Sequence, residues 1–388
     1  MVTRRTFIST LAAGLLAAPV AADAEGDAPL VITGGTLFDG TGRAPLPDAE
    51  IVIRDGRIVS VTTAGTGVAL AHGQRLDGRG TWIVPGLVDM HVHYYDWMGP
   101  PFLRHGVTTV RDVGSNLERI LELRRQSRAS DAAGPRIFAC GPLIDGPAPR
   151  HGPYISVSVT TEEEARDTAR RLLARGVDCL KVYEQLTPRL VQAIAQEAQR
   201  AGVPVTAHLR DTTAVAALEA GVKGLEHATG FEPCDERAGA EVSRLIIERG
   251  AYVVPTLAVI DRAGLRLACR KRFVSRLRNL GGRVVAGSDT ANLRPFPGAF
   301  LHRELELLVE AGLSPREALM AATSAAAEAL GQGGNLGTIE PGKSADLVVL
   351  EGNPLQSISE IRRIAHVIRG GRVVWTSPST TTGGGERR

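Results

Sequence analysis

Four imidazoles, a carboxylate and one lysine are the residues of this chain best suited to chemistry. They are His91, His93, His208, His227, Asp289 and Lys181. His91 and His93 flank Val92 in the apolar run 86–93. In an extended strand, positions i and i+2 share a face, so both rings point the same way. Four imidazoles and a carboxylate suit Zn²⁺, with Mn²⁺, Co²⁺ or Fe²⁺ as alternatives. Lys181 is the odd member, because an ammonium cannot ligate a cation. Burial disfavours the charged form, and a neutral amine can add CO2. The carbamate so formed carries two oxygens and a negative charge, suited to bridging two metals. Taken singly, each residue has a plainer reading. A histidine at a strand end is often a hydrogen-bonded structural residue, a lysine is often salt-bridged, and Asp289 in Gly287-Ser288-Asp289-Thr290 could cap a helix. Their joint arrival at the ends of strands is what argues for a metal site.

The elements that must position them alternate along the middle of the chain. Eight β-like runs fall at 83–93, 107–114, 135–141, 179–183, 203–208, 224–229, 251–257 and 283–289, with helical stretches between most of them. Thr160 and Thr161 with Glu163 and Glu164 form a capping-box pattern. Thr187-Pro188 and Ser314-Pro315 place an N-cap before proline at the first helical position. Gly106, Gly176, Gly202, Gly221, Gly250 and Gly281 fall between helix ends and the next strands, where a left-handed C-cap belongs. This alternation predicts an α/β fold, a (β/α)8 TIM barrel over residues 83–335. A doubly wound open sheet is the alternative, weakened because no G-x-G-x-x-G follows the first run. Every candidate ligand falls at or near the C-terminal part of its run, the end where barrel active sites are built.

Both ends of the chain are β-rich. Residues 25–82 and 336–375 are expected to form the two parts of a small composite β-sandwich, with hairpins signalled by Asp55-Gly56 and Gly370-Gly371. Residues 376–388 are rich in Ser, Thr and Gly and are expected to be disordered. Residues 1–24 read as a twin-arginine signal peptide. Thr3-Arg4-Arg5-Thr6-Phe7-Ile8 opens an apolar stretch that contains Pro19 and ends near Ala22 and Ala24, a small-residue cleavage pattern. That stretch is shorter than the ~20 residues needed to span a bilayer, so cleavage is expected. The product would be periplasmic or secreted, with no stable membrane anchor. The net charge of +3 and the 4% aromatic content exclude an evident nucleic-acid surface. The four cysteines show no C-x-x-C spacing. Cys140 and Cys179 fall in expected strands and are read as small buried hydrophobes, because folding before export disfavours disulfides.

The run Pro85-Gly86-Leu87-Val88-Asp89-Met90-His91-Val92-His93 resembles the first-strand motif of the amidohydrolase superfamily. Lys181, His208, His227 and Asp289 follow in the order of its binuclear subtype with a carboxylated lysine. Residues 337–350, Gly337-Thr338-Ile339-Glu340-Pro341-Gly342 through Leu350, resemble that family's re-entry into its C-terminal sandwich. The resemblance spans about residues 29–375 and is similar to the imidazolonepropionase-like branch, which includes Xaa-Pro and Xaa-Arg dipeptidases. It implies that His91, His93 and Asp289 hold one divalent metal, that His208 and His227 hold a second, and that carboxylated Lys181 bridges them. A shared water would then reach the hydroxide form near neutral pH, with Asp289 as the group that moves its proton. The implied reaction is hydrolysis of an amide, in a dipeptide or an N-acyl amino acid. A lactone, a phosphotriester or a cyclic amidine is the alternative on the same site. A catalytically silent binding protein is the alternative of another class, opposed by the complete ligand set. No G-x-S-x-G motif supports a serine hydrolase. Substrate contacts are sought in the loops: Tyr94 after H-x-H, His151 and Tyr154 in the loop after the third run, Tyr183 after the lysine, and Arg210 after His208. Arg294 is a weaker choice. Lys181-Val182-Tyr183-Glu184 and the Pro-rich loop at 142–153 depart from the glycine-rich pattern of the dipeptidases. The expected partner is a small-molecule substrate, and homo-oligomerisation stays open.

Overall fold

The computed structural model describes residues 28–65, 73–129, 131–291 and 296–378. The twin-arginine segment, Arg294 and the chain beyond Pro378 lie outside the described residues. Each of the eight runs contains a strand: Leu87–Val92, Val107–Asp112, Arg136–Ala139, Leu180–Val182, Val205–Ala207, Gly224–Glu226, Tyr252–Val254 and Arg283–Val284. The first three pair in parallel in one sheet. The other five belong to a second sheet, of seven strands, that is also parallel. Hydrogen bonds cross both seams between these sheets. Asp178 N donates to Ala139 O at 2.8 Å, Met90 N to Ala286 O at 3.0 Å, and Asp289 N to His91 O at 2.8 Å. The first and last of the eight strands are therefore neighbours. The strands are short, and all but Arg136–Ala139 and Arg283–Val284 are buried along their whole length, as parallel strands covered on both faces should be.

Helices follow the strands and supply the outer cover. Helix Glu162–Ala174 begins with the expected capping box, Thr161 with Glu164, and carries three glutamates in its first turn, where they complement the helix dipole. It buries Ala165, Thr168, Ala169 and Leu172, one stripe at helical spacing. The chain leaves it through Arg175 and Gly176, whose φ of 74° is the left-handed conformation that glycine adopts without strain. Helix Pro315–Ala321 starts with a second capping box, Ser314 with Glu317.

The two chain ends meet in an eight-stranded sheet. Trp82–Pro85 pairs antiparallel with Leu347–Leu350 on one side and parallel with the end of Leu30–Leu37 on the other. Both expected hairpins are present. Asp55 and Gly56 (φ 52° and 73°) turn Leu46–Arg54 into Arg57–Thr63. Gly370 and Gly371 (φ 53° and 79°) do the same between Ile364–Arg369 and Arg372–Thr376. A separate apolar core draws on both ends, including Leu30, Ile32, Ile51, Ile83, Leu347 and Ile368. The first sequence run divides at Gly86. Its start belongs to this sheet, and Leu87 opens the parallel one. A Cβ on Gly86 would lie 2.2 Å from Thr108 Oγ1, so no side chain fits at the junction.

Two expectations are corrected. The loop after the third run is not wholly irregular: Leu143–Asp145 and Ser156–Ser158 form strands, and Leu143–Asp145 pairs with Leu180–Val182. Leu143 and Ile144 are an apolar pair that has to be buried. The cysteines are not free thiols either. Cys140 pairs with Cys179 and Cys234 with Cys269. Cys140 and Cys179 were correctly read as buried, but the seam between their strands brings their Cα atoms to 4.4 Å, within disulfide reach. Among the described residues, no helix is long and apolar enough to cross a membrane.

Candidate metal centre

The side chains of interest converge where the parallel strands end. His91 sits near the end of Leu87–Val92 and His93 just beyond it. Lys181 lies within Leu180–Val182. His208 follows Val205–Ala207, and His227 follows Gly224–Glu226. Asp289 reaches them from the segment after Arg283–Val284. Its Oδ1 is 3.3 Å from His91 Nε2 and 3.6 Å from His93 Nε2. The imidazoles stand in a row. Ring centroids are 5.6 Å apart for His93 and His91, 4.6 Å for His91 and His227, and 4.5 Å for His227 and His208. His91, His227 and Asp289 each offer a ligand atom within 4.8 Å of the others.

The rings are fixed from behind. His91 Nδ1 lies 2.7 Å from Glu226 Oε2, His93 Nδ1 2.9 Å from Gly114 O, and His227 Nδ1 2.6 Å from Thr256 Oγ1. Such contacts set the tautomer and leave Nε2 free to ligate. Glu226 is itself anchored. Arg111 donates to it at 2.6 Å from Nη2, to Tyr252 OH at 2.7 Å from Nη1 and to Met90 O at 2.7 Å from Nε, and Thr206 Oγ1 also donates to Glu226. Behind His91, Asp89 accepts from Ser288 Oγ at 2.6 Å and from Ser288 N at 2.9 Å, locking the first strand to the Asp289 segment. The backbone is strained at this rim. His227, Thr256 and Asp289 have φ of 59°, 46° and 55°, left-handed values uncommon outside glycine. Each costs on the order of 1–3 kcal/mol, and such strain clusters at functional sites.

Burial sets the charge states. Lys181 is fully buried, and its Nζ has no hydrogen-bond partner. Desolvation pushes its pKa down to about 8, with the Glu226 charge opposing. Burial takes His227 down to about 3 and, with the charges of His227 and Lys181, holds His208 far below the usual range. Both rings are neutral and can ligate. Burial would raise Asp289, but His91 and His93 hold it well below the carboxylate range. Burial also opposes a proton on His93, yet Asp289 raises its pKa. A bound cation would take that proton's place. Two neutral imidazoles, His208 and His227, two more, His91 and His93, whose Nε2 atoms face Asp289, an ionised carboxylate and a buried amine with no partner fit divalent cations bridged by a carbamate. Without the carbamate, the amine is a buried polar group left unsatisfied.

The five expected substrate contacts separate into two groups. Tyr183 and His151 extend the row of rings. The Tyr183 ring is 4.8 Å from His208, and His151 Nε2 is 3.1 Å from the Tyr183 hydroxyl. Arg210 stands at the rim, bound at 2.8 Å to Glu184 Oε2, while Arg150 Nη1 holds Glu184 Oε1 at 3.1 Å. Glu184 is almost wholly buried, 3.7 Å from His208 Nε2. Tyr94 and Tyr154 are not brought to the centre. Tyr94 is buried in the core, stacked on Phe102 at 6.0 Å. Tyr154 is 63% exposed and lines a groove against the helices Leu117–Gln126 and Glu162–Ala174. Sequence reasoning missed Glu226, Arg111, Thr256, Glu184 and Asp89. Asp89 alone carried a signal, as an acid on the same strand face as His91 and His93.

A family model described as the amidohydrolase family matches residues 82–374. Ochratoxinase of Aspergillus niger is 26% identical, with 88% of this chain and 86% of that protein covered. Imidazolonepropionase of Geobacillus kaustophilus is 25% identical over 93% of this chain and 95% of its own length. Among solved structures, a putative prolidase from Bifidobacterium longum superposes with a TM-score of 0.79 at 31% identity, covering 90% of this chain and 95% of the other. The fold these relatives share with the chain is an α/β fold of the TIM-barrel type.

Proposed function

Because the chain belongs to the amidohydrolase family of C–N bond hydrolases, we propose that it cleaves the amide of a dipeptide or an N-acyl amino acid with the help of two divalent cations, Zn²⁺ foremost. The observation that carries this is Lys181, a buried amine without a partner amid four imidazoles and a carboxylate. His91, His93 and Asp289 would hold one cation, His208 and His227 the other, with carboxylated Lys181 between them. When bound, the cations supply Lewis acidity to the scissile carbonyl and lower the pKa of a water. Asp289 Oδ1, ionised and beside two Nε2 atoms, accepts the proton of the attacking water and delivers it to the leaving nitrogen. Arg210 and Arg150 converge on the buried Glu184 at the rim, and Arg210 also pairs with Asp211 at 2.9 Å; the remaining N–H groups of the two arginines are donors that a substrate carboxylate could use.

We read the parallel strands as one closed (β/α)8 barrel, a reading supported by the bonds at both seams. The eight-stranded sheet of the two chain ends is read as its composite sandwich. Export by the twin-arginine route to the periplasm is part of the same proposal. Two disulfides support the periplasmic destination but not the route, because disulfides persist in oxidising compartments whichever way the chain arrives there. The similarity to imidazolonepropionase favours, as a second reading, a cyclic substrate.

The test is a screen for release of free amine from dipeptides and N-acyl amino acids by protein loaded with Zn²⁺ and bicarbonate. Lactones, phosphotriesters and cyclic amidines run as parallel arms. Turnover of acyl amino acids that is lost in Asp289→Asn supports the proposal. Turnover confined to another arm reassigns the substrate, and full activity in Asp289→Asn removes the residue's role.

A further inference from the structure

Thr256 stands at the N-cap position of the helix Leu257–Ala263, yet its side chain does not cap that helix. An N-cap threonine normally keeps an extended backbone and turns its hydroxyl to the first amides of its own helix. Thr256 is left-handed instead, with φ 46° and ψ 47°, and its Oγ1 lies 2.6 Å from His227 Nδ1. The amides it leaves are taken from outside. Glu304, on the helix Ala299–Glu310, accepts from Ala258 N at 2.7 Å and from Leu257 N as well. Its companions on the buried stripe of that helix include Leu301, Leu305 and Leu308, so packing alone does not explain a carboxyl there. Glu304 and Thr256 are both fully buried, and Glu304 Oε1 has no partner. The backbone of His227 is held separately. Its N donates to Val254 O at 2.8 Å, and its O accepts from Arg270 Nε at 3.1 Å. What the Thr256 contact fixes is the ring.

We propose that Glu304 is a positioning residue of the metal centre: by capping the helix in place of Thr256, it releases the threonine hydroxyl to hold the His227 ring. This rests on the reading of His227 as a ligand. A β-branched residue in the left-handed region is strained, and such a conformation persists only where its surroundings impose it. Glu304 imposes it by fixing the backbone of residues 257 and 258, directly after the strained position. Without that acceptor, the ordinary N-cap conformation, with the hydroxyl turned to its own helix, becomes the favoured state of Thr256. His227 then loses the partner of Nδ1. That partner keeps the ring proton on Nδ1 and leaves Nε2 open to a cation.

Three variants test it. Glu304→Gln keeps an acceptor oxygen of the same reach. Burial pushes the Glu304 carboxyl up to about 8, so it is largely uncharged at neutral pH and the amide copies it. Glu304→Leu removes the acceptor, and Thr256→Val removes the hydroxyl at the other end of the chain of contacts. In a zinc titration against a competing chelator, the Leu and Val variants should each weaken the zinc assigned to His208 and His227 by about tenfold. The other zinc should stay within about twofold, and Glu304→Gln should leave both there. The double variant Glu304→Leu, Thr256→Val should be no worse than either single one, because both act through one contact. A readout free of metal is the ¹⁵N spectrum of the zinc-free, histidine-labelled protein, with the His227 signals assigned from their loss in His227→Asn. The expected result is a proton on Nδ1 in wild type and Glu304→Gln, and a proton shared between both nitrogens in Glu304→Leu. If Glu304→Leu does not fold, Glu304→Asp, one methylene shorter, replaces it with the same expected direction. A variant at 304 that weakens both zincs alike, or that keeps the His227 proton on Nδ1, overturns the proposal. So does a double variant whose losses multiply. A wild-type protein that binds no zinc overturns the metal reading, and the zinc-free spectrum then still decides whether Glu304 sets the His227 ring.

Discussion

Glu226 has no idle oxygen. One faces His91 Nδ1 and the other takes donors from Arg111 and Thr206, all buried. Glu226→Gln keeps the shape but strands the Arg111 charge in the interior. Breaking a buried pair in this way costs about 3–5 kcal/mol. Loss of the carboxylate behind a ligating imidazole lowers metal affinity by roughly 10–100-fold. Denaturant unfolding and zinc titration read the two effects separately. Lys181 gives a pH prediction. Its folded pKa is depressed to about 8, so below that value it is an ammonium that cannot attack CO2. At fixed dissolved CO2, activation of metal-free protein by zinc should speed up as pH rises towards about 8 and then level off. Lys181→Ala should abolish that dependence together with most activity. The convergence of these residues was legible in sequence because four histidines, a lysine and an aspartate arrive together at strand ends, although each alone has a plainer use. The groups behind them were not, because Arg111 and Thr256 look like ordinary strand and loop residues. Tyr94 was misplaced although the rule that placed His91 and His93 also excluded it: the residue after His93 points to the opposite face, and there it meets Phe102.

At the scale of elements, strand positions could be read from apolar runs bounded by glycine, and all eight carry strands. Pairing across seams could not be read, since it joins residues far apart in sequence. The disulfides follow from that pairing. Cys140 and Cys179 bridge the seam crossed by the Asp178–Ala139 bond, two residues from Lys181. The bridge closes a loop of 39 residues. A Cys140→Ser, Cys179→Ser double variant should lose roughly 2–4 kcal/mol of stability, measured by urea unfolding. The bridge is buried, whereas Cys234–Cys269 is partly exposed. Under native conditions, mild reductant should open Cys234–Cys269 first, as thiol labelling followed by peptide mapping would show. Reversed order would mean that the buried seam opens more readily than its packing implies.

The whole molecule joins a candidate metal site, two disulfides and an arginine pair near its start. Twin-arginine export carries folded proteins, which suits a site loaded before transport. Changing Arg4 and Arg5 to lysine should leave the full-length chain in the cytoplasm, and fractionation with a cleavage assay reads the outcome. Processing and export at the normal rate would remove the twin-arginine proposal and leave the site untouched. The joining of the two chain ends in one sheet was legible from paired hairpin signals at each end, and Gly86 shows how tightly that sheet is coupled to the first histidine strand.

The most direct test of the central claim is a titration of metal-free protein with Zn²⁺ at saturating bicarbonate, following amide turnover and bound metal together. Activity that rises to a plateau at about two equivalents, and disappears with chelator, is the result expected of two cations held by His91, His93, Lys181, His208, His227 and Asp289. Full activity with no metal, or a plateau at one equivalent that Lys181→Ala leaves unchanged, would contradict it.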